Sequence, residues 1–215
     1  MIITALVTII AAYLIGSINF AVIFSKVFLK KDVRNLGSGN AGTTNVMRNG
    51  GFLPGMLTFV FDALKGFIAS YMGKLIFDYI FKETGDSWSK GIYGAFICGL
   101  FCMIGHVFPI FFQFKGGKGV ATSVGIFAVC SPIAIILGLI VFAVTLLIFK
   151  MVSLSSLIAT FTVVFSVCFF HSDDASFLPQ IILAILMGVI VVTKHKTNIK
   201  RLLAGTESKI GKGKK

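Results

Sequence analysis

Apolar residues in this chain are gathered into runs of membrane-spanning length, and polar residues are confined to the short segments between them. The first run is Ile2–Phe24, and the third is Gly91–Phe112. The second, Phe59–Ile80, is interrupted by Asp62, Lys65, Lys74 and Asp78. An uncharged stretch, Gly119–Phe149, lies between Lys118 and Lys150, and Val152–Phe170 and Phe177–Thr193 follow on either side of an acidic turn, His171–Ser176. A hydrocarbon core of ~30 Å takes about 20 helical residues to cross, so each run is a candidate transmembrane helix.

The uncharged stretch decides the topology. Its 31 residues would make one helix of about 46 Å at ~1.5 Å per residue, too long for a single straight crossing. Ser131–Pro132 near its middle supplies a turn, which predicts a hairpin of two short helices. The pattern therefore predicts an all-α integral membrane protein of seven transmembrane helices, the fourth and fifth short. No period of 20–50 residues repeats, which removes support for a transporter built from obvious inverted repeats. Residues 1–215 read as one polytopic membrane domain, of which 194–215 form a basic cytoplasmic tail.

Composition agrees and narrows the class. Hydrophobic residues make up 56% and charged ones 13%, with 23 Phe against 8 acidic residues. Too little polar surface exists to cover a water-facing globule, so a soluble enzyme, a disordered tail and a secreted disulfide scaffold are excluded. The formal net charge of +12 would suit a nucleic-acid binder were it spread evenly. Instead, 16 of the 20 Lys/Arg fall in 25–51, 113–118, Lys150 and 194–215, which carry +14, while the remainder carries −2. Alternation of basic and neutral connections is the positive-inside signature, and it places the N-terminus outside and the C-terminus in the cytoplasm. No nucleic-acid partner is expected. The lysines from Lys209 onward suit anionic lipid. Met1–Phe28 lacks a basic n-region and is too long in its apolar part for a removable signal peptide. Cys98, Cys102, Cys130 and Cys168 sit in apolar stretches without metal-like spacing, and Cys98/Cys102 stack at i, i+4 as packing residues.

Three polar segments fall on the expected cytoplasmic face. Gly37-Ser38-Gly39-Asn40-Ala41-Gly42-Thr43-Thr44-Asn45-Val46-Met47-Arg48 combines glycines, which let successive N–H groups converge on an anion, with neutral donors and a terminal guanidinium. Gly105-His106-Val107-Phe108-Pro109 leads to Phe114-Lys115-Gly116-Gly117-Lys118-Gly119-Val120-Ala121-Thr122, a Lys/Gly turn before an apolar helix that suits phosphate. It is no Walker A loop, because Gly-x-x-x-x-Gly-Lys-Ser/Thr is absent. The third segment, Thr193–Glu207, puts His195, Asn198 and Arg201/Leu202 on one face if it is helical. Each has a plainer reading taken alone: a flexible loop, a positive-inside anchor, a stop-transfer end. Asp62 and Lys65, at i, i+3 within the second run, read as support of the site from beneath.

Absences narrow the chemistry. Five residues after the three histidines come Phe111, Ser176 and Lys200, so no His-x-x-x-x-Asp base pair exists. Gly-x-Ser-x-Gly is missing too. Two carboxylates in the basic segments are too few for a divalent-metal cage, and neither metal nor cofactor is expected.

Together the three segments, with Asp62-x-x-Lys65-Gly66 and Gly16-Ser17, resemble the bacterial acyl-phosphate:glycerol-3-phosphate acyltransferase family (the PlsY type) over nearly the whole chain. That resemblance implies transfer of a fatty acyl group from acyl phosphate to the 1-hydroxyl of sn-glycerol 3-phosphate. The products would be 1-acylglycerol 3-phosphate (lysophosphatidic acid) and phosphate, in bacterial phospholipid synthesis. It implies a catalytic set of Ser38, Arg48, Lys118, His195 and Asn198. Substrate contacts would come from Gly37, Gly39, Asn40, Thr44, Asn45, His106, Lys115, Gly116 and Gly117. It further implies a multi-pass protein of the bacterial inner membrane, with a cytoplasmic active site, membrane lipid around it and functional coupling to an acyl-phosphate-forming enzyme. From the residues alone, acyl-CoA or acyl-carrier protein remain alternative donors. A small organic-phosphate permease shares the basic loops but would carry polar residues deep in several helices, and a structural lipid-binding protein leaves the three motifs unexplained.

Overall fold

The computed structural model describes residues 1–170 and 177–210; the acidic turn at His171–Ser176 and the last five residues of the tail lie outside the described residues. All regular structure among the described residues is helical. The chain divides into two compact units, residues 1–130 and 131–215.

The first unit contains α1 (Ile2–Ser17), α2 (Phe20–Leu29), α3 (Thr43–Gly50), α4 (Phe52–Thr84), α5 (Gly91–Val107) and α6 (Val120–Cys130). The first apolar run was expected as one helix over Ile2–Phe24, but it breaks at Ile18–Asn19 into α1 and α2. Asn19 causes the break: its Oδ1 accepts from the Val22 N–H at 3.1 Å, capping α2 from a position that a continuous helix would occupy. The Ile18 carbonyl freed by the break accepts from the Lys65 ammonium at 2.6 Å. Unsatisfied carbonyls at membrane depth are costly, so the broken helix and the buried lysine explain each other. Asp62 lies 2.8 Å from Lys65 and balances its charge.

Helix α4 outruns the expected Phe59–Ile80 at both ends. Its 33 residues reach about 50 Å at ~1.5 Å per residue, well beyond a ~30 Å core. Pro54 falls in its first turn, where a missing N–H costs nothing, and Gly85 ends it at φ +72°. Lys74 and Asp78 pair at 3.3 Å along this helix, and Asp78 Oδ1 accepts from Gly91 N at 2.8 Å at the start of α5. Small residues let the helices approach: Gly73 of α4 faces Gly94 of α5, and Gly125 of α6 abuts the Ala63 carbonyl of α4. Cys98 and Cys102 are buried and unbridged, as packing residues should be.

The second unit contains α7 (Pro132–Phe149), α8 (Val152–Phe170), α9 (Phe177–Lys194) and α10 (Lys196–Leu203). Lys150 turns the chain at φ +56°, and its carbonyl accepts from Ile210 N at 2.8 Å, which folds the start of the tail back on the α7–α8 turn.

The stretch Gly119–Phe149 does divide at Ser131, but unequally. Helix α6 has 11 residues, roughly 16 Å, whereas α7 has 18. Six helical segments among the described residues are therefore long and apolar enough to cross a membrane: Ile2–Leu29, Phe52–Thr84, Gly91–Phe112, α7, α8 and α9. Their outward faces are aliphatic and aromatic (Ile3 is 77% exposed, Leu147 77%, Phe165 71%), the inverse of a water-soluble helix and the surface that lipid would cover.

Candidate active site

The first motif is a loop tied to one side chain. Asn45, in the first turn of α3 and buried, accepts from Ser38 N at 3.2 Å through Oδ1. Its Nδ2 lies 3.0, 2.9 and 3.1 Å from the carbonyls of Val33, Leu36 and Asn40. Asn49 Nδ2 donates to the same Oδ1 at 3.0 Å. The backbone can wrap this amide because Gly37 and Gly39 take φ +54° and +71°, the left-handed region that glycine enters without penalty. A Cβ on Gly37 would also strike the Asn45 and Asn49 amides. The result holds Ser38 out to solvent, with Asn40 and Thr44 half-buried beside it and Arg48 exposed in the last turn of α3. Asn45, expected as a substrate contact, thus spends its hydrogen bonds on the loop. Asn45→Ala should leave several buried carbonyls unpaired, at about 1–3 kcal/mol each. Turnover should fall at least tenfold and proteolysis should open residues 33–44 before any helix, as limited digestion with mass spectrometry would read out.

Arg34, not among the expected site residues, braces this loop. It holds Asp32 through two parallel contacts, Nε to Oδ1 at 3.0 Å and Nη2 to Oδ2 at 2.8 Å, and its Nη1 donates to the Phe112 carbonyl at 2.8 Å. The bonded guanidinium lowers the Asp32 carboxyl below its usual range. Asp-x-Arg in a basic segment was the available signal.

The second motif is anchored to α1 and α5. Tyr13 donates its hydroxyl to the Phe108 carbonyl at 3.0 Å, and Ile110 N reaches Ser17 Oγ at 3.4 Å. His106, buried near the end of α5, accepts from Gly117 N through its carbonyl at 3.2 Å. Any side chain at Gly117 would meet both the His106 ring and the Ala41 carbonyl of the first motif. Close approach at Gly117, together with the Arg34–Phe112 bond, sets the first two motifs against each other. Gly116 packs as tightly on the His106 carbonyl; Lys115 is exposed and Lys118 half-buried. Gly119, at φ +87°, then opens α6 at Val120.

The third motif is organised within the second unit. His195 is the buried junction of α9 and α10, with Nδ1 2.8 Å from the Val191 carbonyl. A carbonyl only accepts, so Nδ1 carries the hydrogen, and a neutral ring then bears its lone pair on Nε2. Helix α10 places Asn198 and Arg201 as expected, and Glu207 grips both: Asn198 Nδ2 donates to Oε1 at 2.8 Å and Arg201 Nε to Oε2 at 2.8 Å. Nothing local in the sequence marks Glu207, a carboxylate past the helix end, as the clamp of α10.

Burial would raise the Glu207 carboxyl, but the hydrogen bonds from Arg201 and Asn198 outweigh it and hold the value down. A depressed carboxylate stabilises the fold above its unfolded value, near ~4.3, and loses that contribution as pH falls through the folded one. Glu207→Gln should accordingly melt a few degrees below wild type near neutral pH. The gap should close as pH drops below ~4, by thermal unfolding in detergent.

Long apolar helices whose outward faces suit lipid define a class: an integral membrane protein. Comparison with known proteins names the group within that class. The glycerol-3-phosphate acyltransferase family model matches residues 6–205. Proteins of that name from Finegoldia magna (39% identity, 94% of both chains) and Francisella tularensis subsp. mediasiatica (43%, 93% of this chain and 90% of the relative) are similar throughout. Two crystal structures of PlsY, an integral membrane glycerol 3-phosphate acyltransferase, also align. The glycerol 3-phosphate form gives a TM-score of 0.81 at 38% identity over 96% of each chain. The lysophosphatidic acid form gives 0.77 at 37% over 96% and 95%. The chain belongs to the glycerol-3-phosphate acyltransferase family, of the PlsY type.

Proposed function

We propose that this protein transfers a fatty acyl group from acyl phosphate to the 1-hydroxyl of glycerol 3-phosphate, releasing lysophosphatidic acid and phosphate. The observation that supports the reading best is the contact of the two Gly-rich loops at Gly117 and Ala41, braced by the Arg34–Phe112 bond, which brings together the segments that carry Ser38 and Lys118. Both substrates present phosphate, and neutral N–H and hydroxyl donors with a few cations suit them.

Ser38 and the backbone of Gly37 and Gly39 hold the acyl-phosphate headgroup, with Asn40 and Thr44 in support. Arg48 and Lys118 neutralise phosphate charge, and Lys115 adds to the field. His195 and Asn198 position glycerol 3-phosphate. Its hydroxyl oxygen attacks the acyl carbonyl carbon, the carbon–oxygen bond to phosphate breaks, and the leaving phosphate takes the hydroxyl proton. No carboxylate base is then needed, and fixed donors facing the developing oxyanion supply much of the rate. One observation favours a second role for His195: the Nδ1–Val191 bond sets the tautomer in which Nε2 is the basic nitrogen, as a general base requires.

Seven crossings, with the N-terminus outside and the site on the cytoplasmic face of the bacterial inner membrane, complete the reading. Counting α6 as a crossing gathers all four basic segments on one side; omitting it sends Lys150 and the tail to the other. The whole chain then works as one membrane domain, with lipid around it and a neighbouring enzyme to supply acyl phosphate.

Palmitoyl phosphate carrying oxygen-18 in the bridging position tests the chemistry. Acyl transfer delivers the label to released phosphate, while label in a fatty carboxylate would mean phosphoryl transfer or hydrolysis at phosphorus and would overturn the assignment.

A further inference from the structure

We propose that Asp62 is a positioning residue for the reaction, acting through His106 and Gly117 on Lys118. This rests on the reading of Lys118 as a phosphate ligand. Asp62 and Lys65 are buried within α4, 1% and 3% exposed, and their contact is 2.8 Å. The same Asp62 oxygen faces His106 Nδ1 at 3.5 Å, long for a hydrogen bond but close enough to hold the ring electrostatically. His106 in turn has two hold-points on the loop: its carbonyl bonds Gly117 N at 3.2 Å, and its ring is the surface on which Gly117 lies. Lys118 is the next residue.

Stability alone does not account for this arrangement. Two charges buried at membrane depth are expensive, and a buried ion pair is often no better for stability than apolar side chains of similar size. Lys65 has a separate use, capping the broken first helix through the Ile18 carbonyl. Asp62 faces both ways, to that cap and to the imidazole beneath the second motif. Among the described residues neither Asp62 oxygen nor His106 Nδ1 makes a hydrogen bond, so the carboxylate is held by charge and leans on the lysine and the ring. A shift of that ring moves Gly117 against Ala41, and with it the spacing of Lys118 from the Ser38 loop.

A double-mutant cycle in the full-length protein tests this, with kcat and KM for palmitoyl phosphate and glycerol 3-phosphate measured for wild type, Asp62→Asn, Lys118→Ala and the double variant. Asp62→Asn should lower kcat/KM at least tenfold, and because it leaves Lys65 buried without its counter-charge it should also melt clearly below wild type in detergent. In the Lys118→Ala background the same change should cost less than twofold, because both act through one ammonium group. If Asp62→Asn does not fold, Asp62→Asn/Lys65→Gln removes both charges, and His106→Gln keeps the pair while removing the ring; each should show the same loss of effect. A tenfold cost that persists in a crippled Lys118→Ala background, or no cost in wild type, would overturn the positioning role alone. Wild-type kinetics in Lys118→Ala would instead overturn the role of Lys118.

Discussion

Ser38→Ala and Arg48→Ala should each lower the rate of lysophosphatidic acid formation by about 10²–10³-fold or more while leaving a folded, detergent-stable protein. The size follows from what each group offers. Removing one preorganised donor aimed at developing charge typically costs 10²–10³ in rate, about 3–4 kcal/mol. A guanidinium on phosphate is a charge-assisted, often two-pronged contact, stronger than a neutral one. The stability side follows from burial. Both side chains are exposed, and the loop is held by Asn45 rather than by Ser38, whose backbone N–H and not its hydroxyl makes the bond to Asn45. Truncation therefore removes chemistry and spares structure. Comparison with Asn45→Ala separates the two, because that change should reduce both activity and loop protection. Turnover near wild type in Ser38→Ala or Arg48→Ala would remove these residues from the site.

His195→Ala should raise KM for glycerol 3-phosphate by roughly 10–100-fold, with KM for palmitoyl phosphate unchanged and kcat at saturation within about tenfold of wild type. This is the signature of a lost binding contact, as opposed to one made only in the transition state. The buried ring, fixed by the Val191 carbonyl, is oriented well enough for either task. A base would behave differently: kcat at saturation would collapse, and the limb of the pH–rate profile that reports the base would vanish with it. Such a result would move the proton from the leaving phosphate to the imidazole and leave the substrates unchanged.

How much of this was legible in the residues differs from element to element. Apolar runs and basic connections gave the helical membrane class directly, because lipid leaves a chain few ways to satisfy its backbone. The division of Gly119–Phe149 was readable from length plus Ser131–Pro132. The break at Ile18–Asn19 was not, since hydropathy averaged over a run hides a single Asn whose cap competes with the helix, and the carbonyl it frees is answered 47 residues later by Lys65. Helix α4 was drawn too short because hydropathy bounds only the apolar part of a helix, and the backbone stays helical beyond it from Phe52 to Thr84. Within the motifs, residue types pointed to donors suited to an anion, but not to which groups face outward and which hold the loop. Asn45, Arg34 and Glu207 all act through long-range hydrogen bonds to backbone or side chains that spacing cannot reveal.

The central claim is tested most directly with the purified protein in lipid cubic phase or detergent, given palmitoyl phosphate and glycerol 3-phosphate, following phosphate and lysophosphatidic acid together. Equal amounts of both, with palmitoyl-CoA failing to replace palmitoyl phosphate, are expected. Folded protein that forms no lysophosphatidic acid, or forms it only from palmitoyl-CoA, would contradict the account.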